Sequence, residues 1–139
     1  MPDLIELEVA TPERLMVREN VEDVQIPGKD GYLGILPGHA ALLGQLGTGV
    51  LSYGVEGRRR SLSVQGGFIE VLPEHVRVLA NLAERAEDIN VERAKADLKR
   101  AEEQVGHPES GVEPSVALDA LALAQARIDA ARKAVNKEE

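Results

Sequence analysis

Three histidines, a glycine-rich stretch, a run of arginines and 24 acidic residues are what this 139-residue chain offers for chemistry. With no cysteine present, a metal centre would have to be built around His39, His75 and His107. They lie far apart, and His75 and His107 each fall in a proline-containing connector, so the ligand spacing of a metal triad is missing. The stretch from Gly28 to Gly49 invites comparison with a phosphate cradle, in which backbone N–H groups wrap an anion. It contains no Gly-x-x-x-x-Gly-Lys-Ser/Thr run, and no long helix follows to aim its N-terminus at a phosphate. Gly47-Thr48-Gly49 and Gly66-Gly67 therefore read as turns. Nucleophilic catalysis lacks a Gly-x-Ser-x-Gly elbow. The carboxylates fall mostly on solvent faces, where they act as solubilising charge. Arg58-Arg59-Arg60 reads as a solvated tip that could meet an acidic partner surface. No catalytic residue and no metal ligand is expected.

Composition narrows the field further. Apolar residues make up 43 % but aromatics only 2 %, so aliphatic side chains must build the core and a ring-lined ligand pocket is not expected. A net charge of −8 argues against a general nucleic-acid binder and against docking on anionic lipid. Met1 to Glu6 lacks the basic and apolar stretches of a secretion signal. No apolar run approaches the roughly 20 residues that span a bilayer, so no direct membrane insertion is expected. Membrane association would have to come through a protein partner.

The elements that position these residues fall into two halves with different periods. Leu4 to Ala10 alternates, with Ile5, Leu7 and Val9 opposite Glu6 and Glu8. Further strands are expected at Val21 to Ile26, Val50 to Val55, Arg60 to Gln65, Phe68 to Leu72 and Val76 to Ala80. Pro27 to Gly31 is a turn cluster, and Glu56-Gly57 reads as a tight hairpin turn. Turn signals this frequent point to a β-sandwich or flattened barrel.

Near residue 84 the period changes from two to three and four. Val91, Ala94, Leu98, Ala101 and Val105 make one narrow helical seam behind an Asn90 N-cap. Gly106 to Pro114 breaks it. A second helix, from about Ser115 to Lys137, repeats the spacing with Leu121, Ala124, Ile128, Ala131 and Val135. The expected fold is α+β, with a β-sandwich over 1–84 and an antiparallel two-helix hairpin over 85–139. So thin a seam predicts a marginally stable, mobile appendage.

Leu33-Gly34-Ile35-Leu36-Pro37-Gly38-His39-Ala40-Ala41-Leu42-Leu43 resembles the loop pattern of the epsilon subunits of F-type ATP synthases, with Ala41 where proline is common. Gly66-Gly67-Phe68-Ile69-Glu70-Val71, Val78-Leu79-Ala80 and Ile89-Asn90-Val91-Glu92-Arg93-Ala94 continue the resemblance in order and at matching spacing. It implies a sandwich of about ten strands and a non-catalytic rotor subunit. It also implies three partners: the gamma subunit, the membrane c-ring and, through the hairpin, the alpha/beta catalytic hexamer. The place implied is peripheral, on the cytoplasmic face of a bacterial inner membrane.

The resemblance places the c-ring and gamma interface at Asp30, Gly31, Tyr32, Gly38 and His39. Tyr32 suits such a tip because its ring is apolar and its end polar. In some relatives the acidic residue and the arginine of the helix-start motif help bind regulatory ATP, which makes Ile89, Asn90, Arg93 and Ala94, with Glu84 and Arg127 as helpers, the candidate nucleotide positions here. Asn90 keeps the cap but lacks the carboxylate of the usual aspartate, so weak ATP binding at best is expected, and no other cofactor. Two competing readings are a free-standing nucleotide sensor, which would bind ligand as a soluble monomer, and a small hydrolase using paired carboxylates, which would show activity alone.

Overall fold

The structure is a computed structural model that describes the backbone of residues 3–136 and the side chains of residues 3–133. Val135 and Lys137, expected in the second seam and at its end, have side chains outside the described residues. Seven strands form one sheet: β1 (Ile5–Ala10), β2 (Leu15–Val21), β3 (Asp23–Gly28), β4 (Gly31–Ile35), β5 (Leu42–Val55), β6 (Arg58–Leu72) and β7 (His75–Arg85). Their order is β2-β1-β7-β6-β5-β3-β4. Neighbours are antiparallel except β1 and β7, whose parallel pairing ties the first strand to the last. Buried residues of all seven strands join one hydrophobic cluster, so the sheet folds over itself into two layers around a shared core.

The count is seven strands where about ten were expected, because β5, β6 and β7 are long and continuous. Gly47-Thr48-Gly49 and Gly66-Gly67 are not turns; they lie inside β5 and β6. Their role is to rotate the strand. In β6 the core-facing residues are Leu62 and Val64 before the glycines and Ile69 and Val71 after them, so the inward parity changes. Gly66 and Gly67 hold φ of 69° and 127°, and a Cβ on Gly67 would collide with the Leu79 carbonyl. Only glycine tolerates that combination at low cost. A strand pattern interrupted by glycines is easily mistaken for two strands and a turn.

Two further strands escaped the alternation. In β2, Met16 and Val17 are both buried beside a register shift at Val9/Ala10, which erases the period of two. β4 carries two glycines and is largely exposed, so it has little hydrophobic signal. Glu56 and Gly57 do form the expected two-residue turn, with φ of 51° and 77°.

After β7 a single 3₁₀ turn, Ala86–Asp88, leads to α1 (Val91–Gly106) and α2 (Pro114–Asn136). The Asn90 side chain accepts a hydrogen bond from Arg93 N–H, as a cap should. At 1.5 Å per residue the helices are about 24 and 34 Å long. The seams differ from expectation. In α1 only Ala94 and Ala101 are buried, and Val105 is exposed. In α2 the buried set is wider, adding Ala117, Ala126 and Ala130 to Ala124, Ile128 and Ala131. The reason is that α2 packs on α1 and also on β5 and β6, so the hairpin lies folded against the sandwich.

Candidate functional site

Asp30, Gly31 and Tyr32 form the β3–β4 hairpin tip, where Gly31 takes φ of 139°. They line a shallow depression with Leu42, Leu43 and Gly44. The Tyr32 residue is 61 % exposed, yet its phenol oxygen accepts the Val50 N–H at 2.9 Å. Gly49 makes this possible, since a Cβ there would collide with the phenol and with Pro27. Tyr32 thus packs across its own sheet and still presents its ring to solvent. Gly38 (φ 85°) donates to the Pro73 carbonyl at 2.8 Å and lines a separate depression with Asp3, Glu6 and Glu74. His39 is half-buried, and its Nδ1 lies 2.7 Å from the Ala40 carbonyl, which can only accept. Asp30, Gly31 and Tyr32 therefore border one depression and Gly38 another, while His39 borders neither.

Beside them lies a surface that the sequence analysis passed over. Leu43, Phe68 and Leu79, on β5, β6 and β7, are 79 %, 64 % and 49 % exposed. Phe68 pairs with Leu79 across the strands, and Leu72, 43 % exposed, lies four residues on along β6. The apolar surface is bordered by a ladder of charge: Arg18–Glu6–His75–Glu8–Arg77–Glu70, with contacts of 3.1–3.8 Å. Contiguous exposed apolar side chains with a polar rim are the mark of a protein interface. The signal was present in the alternation, because Ile69 and Val71 facing inward force Phe68 and Glu70 outward.

The second group of predicted residues meets where the hairpin joins the sandwich. Arg127 of α2 places Nε 2.8 Å from Glu84 of β7 and Nη1 3.5 Å from Asp97 of α1. Its side chain is only 16 % exposed. Asp97 was not foreseen, and it also faces Arg100 at 3.7 Å. Ile89 and Ala94 are buried; Ile89 shares a small cluster with Val50, Ala86, Ala130 and Ala131. The Arg93 side chain is exposed to solvent and does not join the Arg127 cluster. Gln65 adds a polar tie, donating from Nε2 to the Asp119 carbonyl at 2.9 Å.

The remaining charged candidates are placed elsewhere. Arg59 is not a free tip residue: its Nη1 binds Asp23 at 2.8 and 3.0 Å and its Nη2 binds Ser52 Oγ at 3.1 Å, while Arg58 and Arg60 are exposed. His39, His75 and His107 do not converge; His75 lies between Glu6 and Glu8, and His107 faces Glu109. No group of three or more metal-ligating side chains occurs among the described residues. No helix among them is long and apolar enough to cross a membrane.

The beta-sandwich domain of the ATP synthase delta/epsilon chain family matches residues 4–86, and its long alpha-helix domain matches residues 87–132. The chain belongs to this family. It is 58 % identical to the ATP synthase epsilon chain of Solibacter usitatus over 96 % of its own length and 99 % of that protein. It is 50 % identical to the ATP synthase epsilon chain of Koribacter versatilis over 76 % of its length and 74 % of that protein. Among solved structures it resembles a chain of the Euglena gracilis mitochondrial ATP synthase, in an assembly of OSCP, F1 and c-ring. The TM-score is 0.81 at 25 % identity, covering 95 % of this chain and 83 % of that one.

At the junction Arg127 is already paired with two carboxylates. The Asn90 oxygen is likewise committed, to the Arg93 N–H at 3.0 Å. A triphosphate entering here would meet Glu84 and Asp97 as like charges.

Proposed function

We propose that this chain is a non-catalytic rotor subunit of an F-type ATP synthase, whose sandwich docks on the gamma subunit and the c-ring and whose hairpin brakes ATP hydrolysis. The observation that carries the docking part is the exposed Leu43–Phe68–Leu79 surface, adjoining the β3–β4 tip that holds Tyr32. Burying the chain's single phenylalanine and two leucines against a partner would release apolar surface worth about 1.5–3 kcal/mol per side chain. Membership in the delta/epsilon chain family and the likeness to a chain of an F1/c-ring assembly support the same placement. The protein would sit peripherally on the cytoplasmic face of a bacterial inner membrane, held there by those partners. Its hairpin would leave the sandwich to reach the alpha/beta hexamer. ATP binds at the junction weakly at best, because Arg127 is already paired with Glu84 and Asp97 and position 90 carries no carboxylate.

Co-purification tests the docking reading. The wild-type chain should elute with gamma as one complex, and Phe68→Glu should weaken that complex at least about tenfold. A wild-type chain that stays monomeric in the presence of gamma rules it out. Removal of residues 90–139 should raise ATP hydrolysis by the assembled enzyme; unchanged hydrolysis with intact coupling means the hairpin is no brake. Calorimetric titration with ATP and magnesium should show no submillimolar binding.

A further inference from the structure

Resting on the reading of the hairpin as the moving part, we propose that it opens in two stages, α1 leaving α2 before α2 leaves the sheet, with the Arg127 guanidinium as the clasp between the stages. The two helices are held very differently. α2 is tied to the sandwich at three levels: Gln65 to the Asp119 carbonyl at 2.9 Å, Arg127 to Glu84 at 2.8 Å, and Ala130 and Ala131 in the buried cluster with Val50 and Ile89. On α1 only two side chains are fully buried, Ala94 and Ala101, with Leu98 half-buried between them. Between the helices runs a groove of about 290 Å³ bordered by Ala101, Ala124 and Arg127, so the contact is incompletely packed. Lost dispersion contacts along such a groove weaken an interface.

The clasp has the same asymmetry. Its Glu84 arm is a short charge-assisted hydrogen bond from Nε. Its Asp97 arm is longer, at 3.5 Å, and the Asp97 carboxylate is shared with Arg100 at 3.7 Å. Breaking the Asp97 arm leaves Arg127 paired with Glu84, so no uncompensated charge remains under α2. Breaking the Glu84 arm first would give up the shorter contact and leave Arg127 with only the longer Asp97 arm, which is the costlier order.

Chain geometry permits the first stage. Val91 joins the junction cluster, so α1 is anchored at its start and pivots there. The connector from His107 to Glu113 supplies the slack; about seven residues reach roughly 23 Å when extended. Gly111, at φ of 84°, gives that connector a bend that can reverse without side-chain strain. The far end of α1 can therefore swing out while α2 stays docked.

Hydrogen exchange on the full chain tests the order. Amides of residues 95–105 should exchange faster than those of residues 120–131 in the wild type. Asp97→Asn should accelerate the α1 amides about tenfold and leave α2 unchanged, whereas Glu84→Gln should accelerate both helices. Equal exchange of both helices, or equal acceleration of both by Asp97→Asn, would mean that the hairpin leaves as one body and overturns the proposal. Because the chain has no cysteine, nitroxides at Glu103→Cys and Leu118→Cys can read the separation of the helices directly. A second, longer distance should appear and grow with Asp97→Asn; one unchanged distance overturns the clasp. These readouts come from the isolated subunit, so they stand or fall apart from the brake itself, which only the assembled enzyme reports.

Discussion

The core of the sandwich is mostly Ile, Leu and Val contributed by seven strands, with Met16, Tyr53 and Ala80 among them, whereas the junction beneath the hairpin is Val50, Ala86, Ile89, Ala130 and Ala131. Ile5, Leu7, Val9, Val21, Val24 and Ile26 have no exposed surface at all. Each such side chain contributes about 1.5–3 kcal/mol by burial, and the strands that carry them are cross-linked in one ladder. Alanines allow close approach but bury little surface each. The difference teaches how one short chain holds a rigid body and a detachable one. Strong, redundant packing makes the sandwich cooperative, while the hairpin depends on a few alanines, Gln65 and the Arg127 cluster.

Substitutions on the two sides of this divide should therefore behave differently. Leu62→Ala, at a fully buried site in β6, should cost about 2–5 kcal/mol and lower the urea midpoint of the whole chain. If only the hairpin were destabilised, the two regions would not be separate units. Ala130→Leu, at a site with no exposed surface, should cost about 1–3 kcal/mol through overpacking. Its effect should be confined to docking: limited proteolysis should cut residues 91–133 sooner while the sandwich stays resistant. Asn90→Ala removes the cap of α1 and should cost about 1 kcal/mol, seen as lost helical signal without a change in sandwich unfolding.

The smallest effect at neutral pH concerns Tyr53, whose phenol is pushed up to about 12 by burial first and then by the Glu19 carboxylate. The neutral phenol is the form favoured by folding. Its contribution is thus complete below the ordinary value of 10.0 and is lost as pH rises from there towards about 12. Alkaline unfolding should begin in that window and shift upward in Tyr53→Phe. The loss should appear in the sandwich, since Tyr53 belongs to its core.

Much of this architecture was legible residue by residue. Ile5-Glu6-Leu7-Glu8-Val9 alternates because one face of β1 is buried and the other wet, and burial follows that pattern without exception. Asn90 before a helical period was readable as a cap because a cap is local chemistry. The glycine pairs resemble turns because glycine also serves a continuous strand, through positive φ at Gly66 and Gly67 and through close approach of neighbours at Gly47 and Gly49, and only the neighbouring strands tell these uses apart. The sequence places Phe68 on a strand but not on a surface, since α2 covers part of β5 and β6 and the alternation does not show which outward residues it leaves bare.

By itself, then, the sequence determined the division into a period-two half and a helical half, the Asn90 cap, the Glu56-Gly57 turn and the family, because each is written in local spacing. Tertiary structure alone decided that β1 pairs parallel with β7, that Tyr32 reaches the Val50 amide, and that Arg127 joins Glu84 to Asp97. Those contacts link residues 18 to 69 positions apart. Nothing in the periodicity of either partner encodes the other, and only the folded core brings them within reach.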